Sequence, residues 1–355
     1  MTLTSNSLSW LLFRRILISV FFVLFFFLLN QPSILMMSKL GFTAWYPATG
    51  LTFALLLGVS PLYLPLVALT EILAGVLFYH QPLISWTSLV APVIGTGSYA
   101  VAAYFLRGRV KIDLRLSHRR DVARYVLVTM VGGIAATLVG VASLAADHTI
   151  TWSQYWDSAG DWFIGDATSL LGFSPFLLIH VLPRVRSYLA GESILPEKPV
   201  QASHAWRPIE ILELVGQIVC MPLTLWLMFD GPFPSKQLYY LAFVPIIWVG
   251  MRHGIQRVVT ALLILNFGIP ISLLLFPPSG DVLGKVGFLM LVVSATGLIV
   301  GSAVTERHRI ARQLSDQTAY LNSLIENNPL GIIVHDRHGI VQLCNDAFET
   351  LFLFR

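Results

Sequence analysis

The chain has 355 residues, of which 55% are hydrophobic and only 12% charged. Soluble domains carry about 25% charged residues, so half the usual charge is missing, which excludes a soluble enzyme, a disordered chain and a nucleic-acid binder. The net charge of +4 is then a topology signal, and the expected fold is an all-α polytopic membrane helix bundle of eight to ten transmembrane helices.

Apolar runs near the ~20 residues needed to cross a bilayer follow one another from the N-terminus. The first, 16–38, comes after Arg14 and Arg15 as a signal peptide would, but no small-residue cleavage site follows, so an uncleaved helix is expected. The second, 42–59, is the weakest, at about 27 Å and with Pro47 inside it; a re-entrant segment covered by protein is its alternative. The others are 61–79, 84–106, 121–146, 161–183, 209–229, 238–255, 257–276 and 283–304. With a cytoplasmic N-terminus, ten spans leave only Lys39, Lys236 and Lys285 of the 23 basic residues outside. That asymmetry is what the positive-inside rule demands, and it puts both termini in the cytoplasm. Eight spans would do the same, so an even number is expected. Cys220 and Cys344 fall in membrane and cytoplasm, and no disulfide is expected.

Polarity returns abruptly after Val304. In 305–327, Ile310, Leu314, Gln317, Leu321 and Leu324 keep a 4-3-4-3 spacing, a coiled-coil seam of about two heptads. It suits a homodimer through 305–326; a frayed surface helix is the alternative. Pro329 ends the helix. Two strand-like runs, Gly331–Asp336 and Ile340–Asn345, are joined by Arg337-His338-Gly339, with glycine where positive φ is needed. Asp346 is expected to cap a short helix through Phe352.

Ionisable groups at membrane depth cost at least ~2.5–3.5 kcal/mol, which singles out Glu71, Asp166 and His180. Asp166 and His180 are 14 residues apart, about 40° around a helix, with Ser169 between them, so a shared inward face is expected. A ligand or proton site is one reading; a structural hydrogen bond, or His180 reaching the headgroups beside Arg184, is the other. Arg252, in a tight turn with His253, is read as an interface anchor or as the partner of a bundle carboxylate. Trp45, Trp152, Trp156 and Trp162 are assigned to an interfacial aromatic belt, and Asp147, His148, Asp157 and Asp161 to a solvated loop. Gly132, Ala136 and Gly140 form a small-residue stripe, and Gly95-Thr-Gly97-Ser-Tyr-Ala100 is likewise assigned to helix packing. Gly280-Asp-Val-Leu-Gly-Lys285 is one residue short of a phosphate loop and lacks its Ser or Thr. No catalytic set and no metal spacing emerges, and no cofactor can be assigned.

Three stretches carry a family resemblance: Trp45-Tyr-Pro-Ala-Thr-Gly50, Trp162-Phe-Ile-Gly-Asp166 and Trp248-Val-Gly-Met-Arg-His-Gly254. Over roughly 30–304 the chain resembles the first class of MASE-type membrane-associated sensor domains of bacterial signalling proteins. The matched positions are Trp45, Pro47, Thr49, Gly50, Trp162, Gly165, Asp166, Trp248 and Gly254; Tyr46 and Ala48 depart from the usual W-P-P-[ST]-G. Leu324–Glu349, with Asn-Asn-Pro-Leu-Gly331, Asp336-Arg-His-Gly339 and Asn345-Asp-Ala-Phe348, resembles the opening of a PAS domain. The resemblance implies a sensor domain over 1–304, a signalling helix over 305–326 and an incomplete α+β PAS fragment over 327–355. A PAS domain needs roughly a hundred residues to bury a core, so truncation or a disrupted reading frame is expected. It further implies an inner-membrane input module for a histidine kinase or cyclic-di-GMP enzyme. Its partners would be membrane lipids, a second copy and an unknown small-molecule or membrane-derived signal. A transporter is the alternative, without the internal repeats that class often shows.

Overall fold

The computed structural model describes residues 5–31, 45–82, 84–190, 208–230, 238–276 and 282–352. Lys39, Lys198, Arg207, Lys236, Arg355 and the Gly280-Asp281 start of the loop motif lie outside the described residues. The chain divides into two compact units, Met1–Val304 and Thr305–Arg355.

In the first unit the helices run α1 (Ser5–Leu29), α2 (Pro47–Gly58), α3 (Leu64–Tyr79), α4 (Trp86–Tyr104), α5 (Arg119–Ala146) and α6 (Tyr155–Gly172). A single turn, α7 (Ser174–Phe176), and a π-helical stretch, Leu177–Val181, lead into α8 (Leu182–Ala190). Then come α9 (Pro208–Phe229), α10 (Phe243–His253), α11 (Ile255–Leu275) and α12 (Leu283–Glu326). Among the described residues, seven helical stretches are long and apolar enough to cross a membrane, and the chain is a multi-pass helical membrane protein. Eight to ten transmembrane helices were expected; 47–58 and 215–229 are shorter apolar helices, and α10 has 11 residues.

α2 departs furthest from expectation. Its 12 residues reach about 18 Å, too short for a ~30 Å hydrocarbon core. Eleven of them are buried, because an apolar run with no polar face must be covered all round. Pro47 starts the helix, where its missing N–H costs nothing, and α6, α4, α7 and α1 surround it. This is the covered short segment that the weak 42–59 run allowed. Its far end is held by two arginines. Arg186 donates from Nε and Nη2 to the Gly58 carbonyl at 3.0 and 2.8 Å, and Arg107 from Nη1 to the Val59 carbonyl at 2.7 Å. Carbonyls left over at a helix end need such donors.

α4 and α5 share the most extensive contact in the bundle, and the small-residue stripe lets α5 approach both α4 and α6. A Cβ at Gly132 would lie 3.1 Å from that of Ala102, and one at Gly140 would lie 3.0 Å from the Trp162 ring. The Gly95-to-Ala100 stretch is different: nothing lies within 4 Å of a Cβ built at Gly95 or Gly97. Those glycines are not there for helix contact.

α12 has 44 residues, about 66 Å of helix. Its buried positions run from Val286 to Ser302, and from Arg307 onward almost every residue is exposed. Ile310, Leu314, Leu321 and Leu324 are among the exposed large apolar side chains. In the second unit, β1 (Ile333–His335) pairs antiparallel with β2 (Val341–Cys344), and Gly339 has φ 79° at the turn. Asn345 caps α13 (Asp346–Phe352), accepting from Phe348 N at 3.0 Å and from Ile332 N at 2.7 Å. The expected cap, Asp346, is instead the first helical residue, one position too late to turn its side chain back on the helix start.

Candidate functional site

A cavity of about 520 Å³ lies among α2, α3, α4, α5 and α6, within the usual range of about 300–1,000 Å³ for ligand clefts. α3 contributes Glu71, Ala74, Gly75 and Tyr79, a helical face by spacing. α4 adds Ala91, Gly95 and Tyr99, α6 adds Trp162 and Asp166, and α2 adds Thr49. α5 adds Ala136 and Leu144, and His80, Gln81, Pro82, Thr87, Thr149 and Ile150 line the end of the bundle where α3 and α5 stop and α4 begins. At that rim Thr87 donates to Asp147 Oδ2 through its backbone N–H and its hydroxyl, both at 2.7 Å. Asp147, assigned to a solvated loop from the sequence, thus fixes the start of α4.

Asp166 organises the site. It is buried and receives three donors: Thr49 Oγ1 on Oδ1 at 2.6 Å, Tyr99 OH on Oδ2 at 2.6 Å and Trp162 Nε1 on Oδ2 at 3.0 Å. Charge-assisted bonds of this kind contribute about 1.5–3 kcal/mol each, enough to hold a carboxylate where lipid alone would reject it. Two of the sequence motifs meet here. Tyr46 N donates to the Gly165 carbonyl at 3.2 Å, and Gly50 N donates to Ser169 Oγ at 3.0 Å. A Cβ at Gly50 would stand 2.7 Å from the Ser169 backbone oxygen, so only glycine lets α2 come this close to α6.

Glu71 also lines the cavity. Neither it nor Asp166 has an ion-pair partner among the described residues, unlike Asp121, which pairs with Arg124, and Glu213, which pairs with Arg252. Asp166 takes three donors, from Thr49, Tyr99 and Trp162, which hold its carboxyl group in one orientation. No group of three or more His, Cys, Asp or Glu gathers among the described residues. The two carboxylates therefore do not make a metal cage.

The aromatic lining was not evident from the sequence. Tyr46 OH donates to Asn30 Oδ1 at 2.8 Å, and Tyr79 OH reaches the same atom at 3.5 Å. With Tyr99 and Trp162 bound to Asp166, all four aromatic polar tips are engaged. The signal available was a tyrosine, Tyr99, inside an apolar run that had been assigned to packing.

Other expectations are redistributed. Trp45 is fully buried, edge-on to Phe267 with ring centroids 4.6 Å apart, and Trp162 serves Asp166; neither belongs to an interfacial belt. Trp152 and Trp156 are exposed. His180 does not line the cavity with Asp166. A break at Phe173 and Pro175 and the π turn displace it from the predicted face, and its Nε2 pairs with the Gln256 carbonyl at 2.9 Å. Arg252 pairs with Glu213 through Nη2 and Nε, both at 2.8 Å, tying α10 to α9. Trp248 lies over Gly216, and Gly254, at φ 71°, turns the chain from α10 to α11. The third motif therefore shapes the other half of the bundle and not the cavity.

No curated protein and no solved structure matches the chain. The family model described as MASE1 matches residues 14–308, a stretch that takes in the cavity, all three motifs and the bundle-embedded part of α12. MASE1 domains have a membrane sensory role in bacterial signalling, and this chain belongs to the MASE1 family.

Proposed function

We propose that the chain is the sensory input module of an inner-membrane signalling protein, coupling occupancy of the α2–α6 cavity to a cytoplasmic output entered through a PAS domain. The output would be a histidine kinase or a cyclic-di-GMP enzyme. The observation that carries this reading is the continuity between cavity and exit helix. α6 bears Trp162 and Asp166 on the cavity, and a half-turn later Thr168 Oγ1 reaches the Gly287 carbonyl of α12 at 3.4 Å. Gly172, one turn further, is pressed on Asn266 and Ser294, which themselves bond at 3.3 Å between α11 and α12. A ligand that favours one position of α6 would bias α12 directly, and α12 carries that bias through 305–326. The signal needs different affinities for two bundle states, nothing more.

The seam Ile310, Leu314, Leu321 and Leu324 gives the second copy its surface, and a parallel homodimer is part of the proposal. Single cysteines at Leu314 and Leu321, in a chain lacking Cys220 and Cys344, should crosslink in native membranes while one at Ser315 should not. Asp166→Asn should change the extent of crosslinking at least twofold. Uniform crosslinking along the helix, or a pattern indifferent to Asp166→Asn, would leave the helix a passive tether.

A further inference from the structure

Resting on the sensory reading, the chemistry of the cavity narrows its ligand. Two carboxylates, Glu71 and Asp166, enter it, and no Lys or Arg is among the described residues that line it. A positive group entering the cavity would find two acidic groups to pair with and no resident cation in competition among the described lining residues. Four aromatic side chains, Tyr46, Tyr79, Tyr99 and Trp162, line the same space. Their hydroxyls and indole N–H are already committed to Asn30 and Asp166, so ring carbon is what they have left to offer an occupant. Glu71 makes no hydrogen bond to another described residue, which leaves its carboxylate for the occupant. We propose that the cavity binds a small organic cation, an ammonium group on an apolar body, held by the Glu71 carboxylate and the aromatic rings within the field of Asp166.

Competing chemistries fit less well. An anion would meet two acidic side chains and no Lys or Arg among the described lining residues. A bare divalent ion asks for about six to eight oxygens, whereas one carboxylate here is free and the other already takes three donors. A polyol needs several free donors and acceptors, and the tyrosine hydroxyls and the indole N–H of the lining are already engaged. Cation–π attraction, about 0.5–2 kcal/mol per well-placed ring, rewards an ammonium that sheds its water in such a space. Gly95 carries no side chain into the lining and has nothing within 4 Å of its Cβ position, so the room is not spent on helix packing.

The test is calorimetric titration of the full chain in phosphatidylglycerol nanodiscs with choline and with 3,3-dimethyl-1-butanol, its uncharged carbon analogue. Choline should bind at least tenfold more tightly than the alcohol. Glu71→Gln should weaken choline at least fivefold without changing the alcohol, and Gly97→Ala, away from the lining, should leave both unchanged. Equal binding of choline and alcohol, or no choline binding up to tens of millimolar, overturns the proposal whether or not the Glu71 variant folds. So does a Glu71→Gln protein that binds choline normally. Ammonium groups are carried both by free amines and by phosphatidylethanolamine headgroups. Repeating the titration with phosphatidylethanolamine in the discs separates them: unaltered choline affinity indicates a free solute, and competition indicates the lipid. The titration reads binding alone, so its failure leaves the crosslinking test of the sensory reading standing, and the reverse holds too.

Discussion

Gly172 and Gly97 both sit inside apolar helices, yet the structure asks opposite things of them. A Cβ at Gly172 would come within 1.9 Å of Asn266 Nδ2, whereas one at Gly97 meets nothing within 4 Å. Gly172→Ala should therefore cost about 1–3 kcal/mol by overpacking, read as a lower unfolding midpoint in detergent, and Asn266→Ala in the same chain should recover part of it. Gly97→Ala should be neutral or stabilising by up to ~1 kcal/mol. Thr49→Val removes one donor from Asp166 and should lower the midpoint by the equivalent of about 1.5–3 kcal/mol. In the second unit, the bond from Cys344 Sγ to Glu349 Oε1 at 3.5 Å pushes the thiol pKa up. Less thiolate is then present at neutral pH, so Glu349→Gln should speed alkylation of Cys344. That Asp166 and Glu71 would face the inside of the bundle was legible in the sequence, because charge in lipid is costly wherever it sits. The aromatic partners were not. Trp45 and Trp162 obey the same composition statistics as belt residues, and only tertiary packing separates a ring at the headgroups from one against Phe267 or Asp166.

At the scale of helices, hydropathy located nearly every element and misjudged length where polar capping intervened. Arg107 and Arg186 end α2 from outside its own sequence, which no window over 42–59 can register. The predicted face shared by Asp166 and His180 failed for a related reason: a constant 100° per residue does not survive Pro175 and a π turn. α12 followed its sequence closely, since no Gly or Pro lies between Ala303 and Asn328. One residue inserted after Arg312 should rotate the exposed seam by about 100° relative to the bundle. The crosslinking maximum should then move off Leu314 and Leu321 onto a neighbouring face. An unchanged pattern would mean that the distal helix takes its register from the second unit rather than from the membrane.

For the whole molecule, the charge distribution predicts an orientation. The end of the bundle that carries 105–120 holds Arg107, Arg109, Lys111, Arg115, Arg119 and Arg120, while the cavity rim at 80–82 and 149–150 has no Lys or Arg. Reporter fusions should be active as cytoplasmic proteins when inserted near Leu116 and after Phe352, and as exported proteins when inserted near His148. A cytoplasmic signal at His148 would reverse the bundle and turn the cavity mouth toward the cell interior.

α2 is pinned at one end by two guanidinium groups on the Gly58 and Val59 carbonyls, while its other end meets α6 through Thr49 and Gly50. A rod hinged at its base converts a small push at its tip into tilt, not translation. Any rearrangement of Asp166 would therefore be geared by α2, with Arg186 as the fulcrum. Arg186→Lys, which keeps the charge but replaces the two-donor grip on one oxygen with a single flexible contact, should loosen that fulcrum. A bundle with a slack pivot would bind its ligand and fail to report it.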